Sequence, residues 1–269
     1  QNIARVERMG IINASPDSFS DGGVNNSIDL ALGYVGKMLA SGAHIIDVGG
    51  ESTRPFAEPV SLEEELARVV PMVSAIAQNF PLTKISVDTY KTEVAEAALC
   101  AGATMINDIS GGTFSPKMFD LAAQYNAEIV VMHIAGTPKN MQQNPHYDNL
   151  LGEICAFLRT RCEAAQAAGI APEKIIIDPG IGFGKTFEHN LELLNNVQAF
   201  VNMGYRVLIG ASRKRFIGHY TGEPVAASRD AGSFAVSFWA VAQGAHILRV
   251  HDVSGTTQCL RMFSALSNT

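Results

Sequence analysis

The chain has 269 residues, 47% of them apolar and 17% charged, with a formal net charge of −6. Low charge content and an evenly spread apolar fraction exclude a disordered chain, and a negative balance without a Lys/Arg stripe excludes nucleic acid as the main partner, because phosphate neutralisation needs clustered cations. No apolar stretch reaches the roughly 18 residues of a membrane span and no basic segment followed by an apolar run opens the chain, so a soluble, cytoplasmic protein with no membrane partner is expected. Cys100, Cys155, Cys162 and Cys259 lack metal-type spacing and are expected to be buried, reduced thiols.

Strands and helices are predicted to alternate along the whole chain. The strand candidates are Met9–Asn13, His44–Val48, Lys84–Val87, Thr104–Ile106, Glu128–Met132, Lys174–Ile177, Arg206–Ile209 and His246–Val250. Each is a short apolar run rich in β-branched residues, as strands buried on both faces read. Helical patterns occupy Ser27–Ala40, Ser61–Gln78, Lys91–Cys100, Ser115–Gln124, Asp148–Ala168, His189–Val201, Ser228–Ala242 and Thr256–Ser267. Ser61 and Glu64 have the spacing of a capping box, and Gly42, Gly102, Gly169, Gly204 and Gly244 stand where helices close before the next strand. Eight such units without a linker or a shift in composition favour a single-domain (β/α)8 barrel over 1–269, rather than an open doubly wound sheet. Residues 1–8 are expected to add a lid or short strand across the barrel bottom. The longest loops, Ser15–Asn26, Gly49–Val60 and Ile134–His146, fall at the end where such barrels keep their chemistry.

Polar residues gather just past every strand. Asp88, Asn107 and Asp178 each end a strand, so their side chains can converge near the barrel axis. Each alone is also an ordinary helix cap, but together they suit a flat heterocycle with an amidine-like N–H edge. Arg54, Arg249 and His251, with Ser52 and Thr53, form a candidate anion site. Arg54 alone also reads as a surface ion pair. Asn13 is placed to give an oxygen to Mg2+ held mainly by phosphate and water. His133 lacks a His or Cys partner at ligand spacing, which favours a core or pocket-wall role over zinc. Gly184-Lys185-Thr186 imitates the end of a phosphate loop, but the first Gly that motif requires falls on Pro179. Phe183 is then expected to line the cavity. Lys214 lies in the loop after the seventh strand, which favours a donor to substrate over a Schiff-base nucleophile.

At these residues the chain resembles the dihydropteroate synthase family of pterin-binding barrels. The segments that carry the resemblance run in order: 13–23 (Asn-Ala-Ser-Pro-Asp-Ser-Phe-Ser-Asp-Gly-Gly), 47–55 (Asp-Val-Gly-Gly-Glu-Ser-Thr-Arg-Pro), 86–89, 178–185, 212–214 and 249–252. The resemblance implies condensation of 6-hydroxymethyl-7,8-dihydropterin pyrophosphate with p-aminobenzoate, giving 7,8-dihydropteroate and pyrophosphate in folate biosynthesis, with Mg2+ as cofactor. It implies that Asp88, Asn107, Ile109, Met132, Asp178, Phe183, Gly210 and Lys214 hold the pterin, and that Thr53, Arg54, Arg249 and His251 surround the pyrophosphate. Phe19, Pro55, Phe183, Ser212 and Lys214 shape the p-aminobenzoate pocket, which is also the site of sulfonamide inhibitors, and Asp21 closes over it with Arg54. Asp21, Arg54, Lys214, Arg249 and His251 are the expected catalytic set, and Asn13 the metal ligand. A homodimer is implied too, and the apolar late helix around Phe234–Ala242 offers a face for it. Two positions depart from the family pattern: Ser15 replaces a Thr, and Phe56 stands where Gly is usual, beside the p-aminobenzoate pocket. Two other readings share the pterin site: a methyltetrahydrofolate-type methyltransferase and a non-catalytic pterin-binding subunit. The Ser-Thr-Arg-Pro and Ser-Arg-Lys segments argue against the first, and the presence of Asp21, Arg54, Lys214 and His251 argues against the second.

Overall fold

Residues 5–15 and 24–267 are described by the computed structural model. Eight parallel strands close in sequence order into a barrel: β1 (Glu7–Asn13), β2 (Ile45–Gly49), β3 (Lys84–Asp88), β4 (Met105–Asp108), β5 (Glu128–Met132), β6 (Ile175–Asp178), β7 (Arg206–Ile209) and β8 (Ile247–Val250). The expected architecture is therefore the observed one. The start of β1 corrects the first segment: Glu7 and Arg8 belong to the barrel wall, Glu7 pairing with Ile247, rather than to a bottom strand. The helices are α1 (Val24–Ala40), α2 (Leu62–Asn79), α3 (Thr92–Ala101), α4 (Met118–Gln124), α5 (Leu150–Ala167), α6 (Phe187–Asn195), α7 (Val197–Val201), α8 (Arg215–Thr221), α9 (Asp230–Ala242) and α10 (Val253–Ser267).

Three helix details depart from expectation for local reasons. The Ser61 side chain accepts the Glu64 N–H at 3.2 Å, but the Glu64 carboxylate pairs with Arg68 instead of returning to the cap, so the box is half-formed. A full capping box lies at Thr186 and His189, which starts α6 two residues earlier than periodicity suggests. The single helix expected over His189–Val201 breaks at Asn196, whose side chain donates to the Glu192 carbonyl at 2.8 Å. Helix α8 is absent from the sequence reading because Gly218, Gly222 and Pro224 make that stretch look like loop. The five predicted closing glycines all take positive φ. All four cysteines are free, but only Cys162 is buried and Cys100 is exposed on α3, which corrects the expectation of uniform burial.

Strand register stacks the inward side chains in layers drawn alternately from odd and even strands. Glu7, Lys84, Glu128 and Arg206 of the odd strands form the bottom layer, linked as ion pairs: Arg206 contacts Glu7 at 3.4 Å and also Glu128, and Lys84 meets Glu128 at 2.7 Å. Above it Ile45, Met105, Ile176 and Ile247, then Met9, Val130 and Leu208 with Ser86, form a dry plug distinct from the outer core between strands and helices. The next layer, again from even strands, changes character to Asp47, Asn107, Asp178 and Arg249. The plug closes the barrel from below, so ligands reach these polar groups only from the C-terminal end.

The bottom ion pairs are only partly exposed. Burial alone would raise the Glu128 carboxyl, but hydrogen bonds and charge from Lys84 and Arg206 outweigh it and hold it below the usual range. A depressed carboxyl stabilises the fold above its unfolded pKa and loses that contribution as pH falls through the folded one. Arg206→Met is expected to lower stability by about 1–3 kcal/mol near neutral pH, and the deficit is expected to shrink below about pH 4 as Glu128 takes up its proton. Urea denaturation at both pH values checks this; a deficit independent of pH contradicts it.

Candidate active site

Arg249 reaches from β8 into the barrel mouth and is held by two carboxylates. Its Nε donates to Asp47 Oδ2 at 2.7 Å and its Nη2 to Asp88 Oδ2 at 3.1 Å. Asn107 Nδ2 donates to the same Asp47 oxygen at 3.1 Å, so β2, β3, β4 and β8 are tied together at one level. Burial works against the Arg249 charge, and Asp47, Asp88 and Asp178 outweigh it. Burial drives the Asp88 carboxyl up to about 7 despite Arg249, with Asp47, Glu65 and Asp108 adding to the rise. Asp178 is likewise raised, chiefly by burial, against the Gly180 N–H, Lys214, Lys185 and Arg249. Asp47 is absent from the sequence-derived site set. Its signal is a carboxylate in the middle of the buried run Ile45–Gly49; Oδ1 is buried without a hydrogen-bond partner among the described residues.

The β6–α6 segment wraps tightly over strand five. Asp178 Oδ1 accepts the Gly180 N–H at 2.8 Å. Gly180 has φ +78, and a Cβ there would lie 1.9 Å from the His133 carbonyl oxygen, so no other residue fits without moving β5 or this turn. Lys185, only 2% exposed, places Nζ among three acceptors: Phe183 O at 2.7 Å, His133 Nδ1 at 3.0 Å and His133 O at 3.3 Å. His133 thus has a partner that spacing does not reveal, and both groups lose their affinity for protons mainly through burial: His133 falls to about 3 and Lys185 far below its ordinary value. The pocket-wall role expected for His133 agrees with its burial and its edge contact with Phe157, ring centroids 5.0 Å apart. Phe183 packs against the cluster of Ile109, Met132, Ile134 and Met141. Lys214 Nζ lies 4.5 Å from the Phe183 ring centroid and donates to the Ile181 carbonyl. Burial lowers Lys214 to about 8, with Asp178 and Asp88 opposing the fall and Arg249 adding to it.

On the other side of the mouth, Ser212 and His251 form a unit. Ser212 Oγ accepts the His251 N–H at 3.2 Å and lies 2.9 Å from His251 Nδ1. The hydroxyl and Nδ1 share one hydrogen bond whose donor is set by the imidazole tautomer. Burial, then Arg213, Arg249 and Arg54, lower His251 to about 3, so it enters the site as a neutral donor rather than a cation. Arg213, at φ +59, is turned away to Asp230 through bonds of 2.7 and 2.8 Å, and its backbone N–H donates to Ser233. This anchors the β7 loop to α9 and leaves Ser212 and Lys214 facing the mouth. A Cβ on Gly210 would sit 3.8 Å from Arg249, an ordinary contact, so Gly210 leaves open room rather than avoiding a clash.

Loop two carries Thr53, Arg54 and Pro55 above β2. Arg54 is exposed, with its backbone N–H on Ser52 Oγ at 3.4 Å. Phe56 is 58% exposed at φ +66, and its N–H donates to the Pro138 carbonyl at 3.0 Å, docking loop two on the β5 loop. Asn13 is exposed at the end of β1, across from Gly49. Among the described residues no cluster of three or more His, Cys, Asp or Glu can cage a metal. The donor set suits an ion bound chiefly through a ligand's own oxygens and water, which is how Mg2+ prefers to bind. Phe19 and Asp21 lie outside the described residues.

The barrel mouth thus gathers the acceptors Asp88, Asn107 and Asp178, with Arg249 bonded directly to Asp88, the apolar Ile109, Met132 and Phe183, and the side chains of Lys214 and His251. Residues 9–251 match the model of the pterin binding enzyme family. The chain is 47% identical over 262 residues to a dihydropteroate synthase of Synechocystis, covering 97% of this chain and 90% of that one. It superposes on the Yersinia pestis dihydropteroate synthase in complex with a sulfonamide drug with a TM-score of 0.92 and 43% identity, over 100% and 97% of the two chains. The Xanthomonas albilineans dihydropteroate synthase with 4-aminobenzoic acid gives 0.92 and 41%, over 99% and 95%. The chain belongs to the dihydropteroate synthase family of pterin-binding enzymes.

Proposed function

We infer that the chain condenses 6-hydroxymethyl-7,8-dihydropterin pyrophosphate with p-aminobenzoate, releasing pyrophosphate and forming 7,8-dihydropteroate. The observation that carries the reading is the polar layer at the barrel mouth, in which Arg249 and Asn107 share Asp47 beside Asp88, in a chain of this family. Asp88, Asn107 and Asp178 bind the N–H edge of the pterin, Ile109, Met132, Phe183 and Gly210 bound its faces, and Lys214 donates to it. Thr53, Arg54, Arg249 and His251 bind the pyrophosphate. Phe19, Pro55, Phe183 and Ser212 shape the p-aminobenzoate pocket, where sulfonamides compete, and Asp21 with Arg54 closes it.

In the reaction the bond from the pterin methylene to the pyrophosphate oxygen breaks, its electron pair leaving with the pyrophosphate. Donors from Arg249, Arg54 and His251 stabilise that charge where it develops. The carboxylates at the pterin edge favour the electron-poor methylene, and the p-aminobenzoate amine attacks it and then loses a proton. Asn13 is the residue that would hold Mg2+, together with phosphate oxygens and water, and the ion supplies further charge stabilisation on those oxygens. Closure of loops one and two keeps water from the methylene.

A homodimer is part of the same reading. Helices α9 and α10 expose Phe238, Trp239, Met262 and Leu266, with Phe238 and Phe263 rings 4.3 Å apart, an apolar face suited to a second copy. None of the described helices is long and apolar enough to cross a membrane.

Steady release of pyrophosphate that requires p-aminobenzoate is the expected activity; release without the arylamine, or none, rules the synthase out. It also separates the synthase from a methyltransferase and from a non-catalytic pterin-binding subunit. Asp178→Ala is expected to weaken pterin binding by roughly 30-fold or more, the loss of charge-assisted hydrogen bonds worth about 2–3 kcal/mol.

Asp88 accepts from pterin N–H groups most strongly when it is ionised, and burial raises its carboxyl to about 7 in the empty site. Pterin affinity is therefore expected to rise as pH increases through about 7, whereas the raised carboxyl withdraws stability from the empty barrel at lower pH, between the ordinary carboxylate range and about 7. Calorimetric titration of the pterin across that range should show a step in the parent that is missing in Asp88→Asn; the same step in both assigns the titration elsewhere.

Phe56 holds a left-handed backbone that costs a non-glycine residue about 1–3 kcal/mol. Phe56→Gly is expected to change the KM for p-aminobenzoate or the inhibition constant of a sulfonamide by more than about threefold, with pterin affinity little changed. Equal constants in parent and variant would sink this.

A further inference from the structure

Loop two bridges a cavity of about 400 Å³ lined by Ala57 and Pro59 on its own side and by Tyr90, Phe114 and Pro138 opposite. Across that space the loop is held at its two ends, by the Phe56 bond to Pro138 and by the exposed Glu58–Lys139 ion pair at 3.0 Å. Both ends meet at one side chain. Lys91, at the start of α3, donates from Nζ to Glu51 Oε2 at 2.7 Å, to the Val60 carbonyl at 2.7 Å and to Glu65 Oε2 on α2. Glu51 Oε2 also accepts the Val60 N–H at 2.9 Å, so the first and last residues of the loop are bonded to each other and to the same ammonium.

The cluster is built and buried. The Glu51 and Glu65 side chains are 6% and 2% exposed, and Lys91 is 18% exposed. The second oxygens of the carboxylates are engaged as well: Tyr90 Oη donates to Glu51 Oε1, and Thr89 Oγ1 to Glu65 Oε1 at 2.8 Å. Three acceptors in three directions match the three protons of an ammonium, a geometry that a planar guanidinium cannot reproduce. Gly50, just before the clamp, lies so close to α2 that a Cβ would come within 2.8 Å of Val69, and its carbonyl accepts from Arg68 at 2.8 Å. The stem is thus immobilised on α2 and α3, while Ser52–Pro59 touches the β5 loop through the Phe56 bond to Pro138 and the exposed Glu58–Lys139 pair. Thr89 and Tyr90 directly follow Asp88, so the clamp also ties the loop to the strand end that carries a pterin-edge carboxylate.

We propose that Lys91 is a positioning residue for arylamine capture: by clamping Glu51, Val60 and Glu65 it sets the angle at which loop two presents Thr53, Arg54 and Pro55 over the cleft. The proposal rests on the synthase reading for its kinetic consequence, but the clamp itself can be read without it.

Two variants and two measurements test it. Lys91→Met removes the ammonium and leaves two buried carboxylates unpaired; Glu51→Gln loosens the loop end while the Lys91–Glu65 pair remains, and so keeps the question open to test if the first variant fails to fold. In each folded variant, amide hydrogen exchange across Ser52–Val60 is expected to accelerate at least about tenfold, while the pterin dissociation constant stays within about twofold. The KM for p-aminobenzoate is expected to rise at least about fivefold, by more than kcat falls. Unchanged exchange in the folded variants overturns the clamp, and faster exchange with an unchanged KM overturns its role in arylamine capture. If the parent protein releases no pyrophosphate with p-aminobenzoate, the synthase reading fails instead, and the exchange result still decides the clamp.

Discussion

The guanidinium of Arg249 inside the barrel mouth is the constraint around which the rest is arranged. A cation drawn from a strand into a protein interior is costly unless opposite charge and hydrogen bonds meet it there, and Asp47 and Asp88 do so at 2.7 and 3.1 Å. Those carboxylates are themselves buried, so the compensation has to be mutual and has to be held rigidly. The barrel supplies this by taking Asp47, Asn107, Asp178 and Arg249 from even strands at one level, each fixed by a ladder of parallel pairing. A layer of apolar side chains would be at least as stable there, because replacing buried ion pairs by well-packed hydrophobes is often neutral or favourable. The polar layer is best understood as stability given up for recognition. The dry plug of Met9, Ile45, Met105, Val130, Ile176, Leu208 and Ile247 beneath it carries the compensating burial.

The same burial sets the protonation states at the mouth. It moves acids up and bases down, so Asp88 reaches about 7 and Lys214 about 8, within a unit or so of each other and of neutrality. His251 goes further and is held neutral beside Ser212. A site of this kind binds a neutral, polar heterocycle without a large penalty, because few of its own groups are locked into full charge before the ligand arrives. Positive charge is concentrated instead on Arg249, where an anion would lie. The division between a proton-labile edge and a permanently cationic one follows from residue type: guanidinium remains charged under burial that discharges ammonium and imidazole.

How much of this could be read in the sequence depended on whether the signal was local. The alternation of apolar runs and polar strand ends carries the barrel, and Asp88, Asn107 and Asp178 stand out because each interrupts a strand just where the mouth begins. Asp47 did not stand out as a site residue, although it is the centre of the layer, because it lies inside the apolar run of β2 rather than at its end, where the other site carboxylates stand. Lys185 was hidden by its place in a false phosphate-loop match, and its partner His133 had no neighbour in sequence to give it a role. Their pairing spans 52 positions and exists only because Gly180 lets the β6 turn lie against β5. The half-formed cap at Ser61 has a similar cause: Glu64 had a competing partner, Arg68, one turn along, which a spacing rule cannot weigh.

The two halves of the cleft are not held with equal firmness, and this bears on how the protein could change. In the proposed function the pterin edge is made of strand residues whose positions follow from barrel closure, so substitutions there disturb the wall itself. The arylamine side, in the same proposed function, is carried by loop two, which is fixed at its stem by Lys91 and farther along by the Phe56 bond to Pro138 and the exposed Glu58–Lys139 pair. A side chain at φ +66 resists that docked geometry where glycine would accept it. Phe56 therefore shifts the balance between docked and undocked loop by a small free energy without touching the groups beneath. Variation in how p-aminobenzoate or its analogues are received can arise at such a position at little cost to the fold, whereas variation at Asp47 or Arg249 cannot. Adaptability in this architecture belongs to the segment that the barrel does not support.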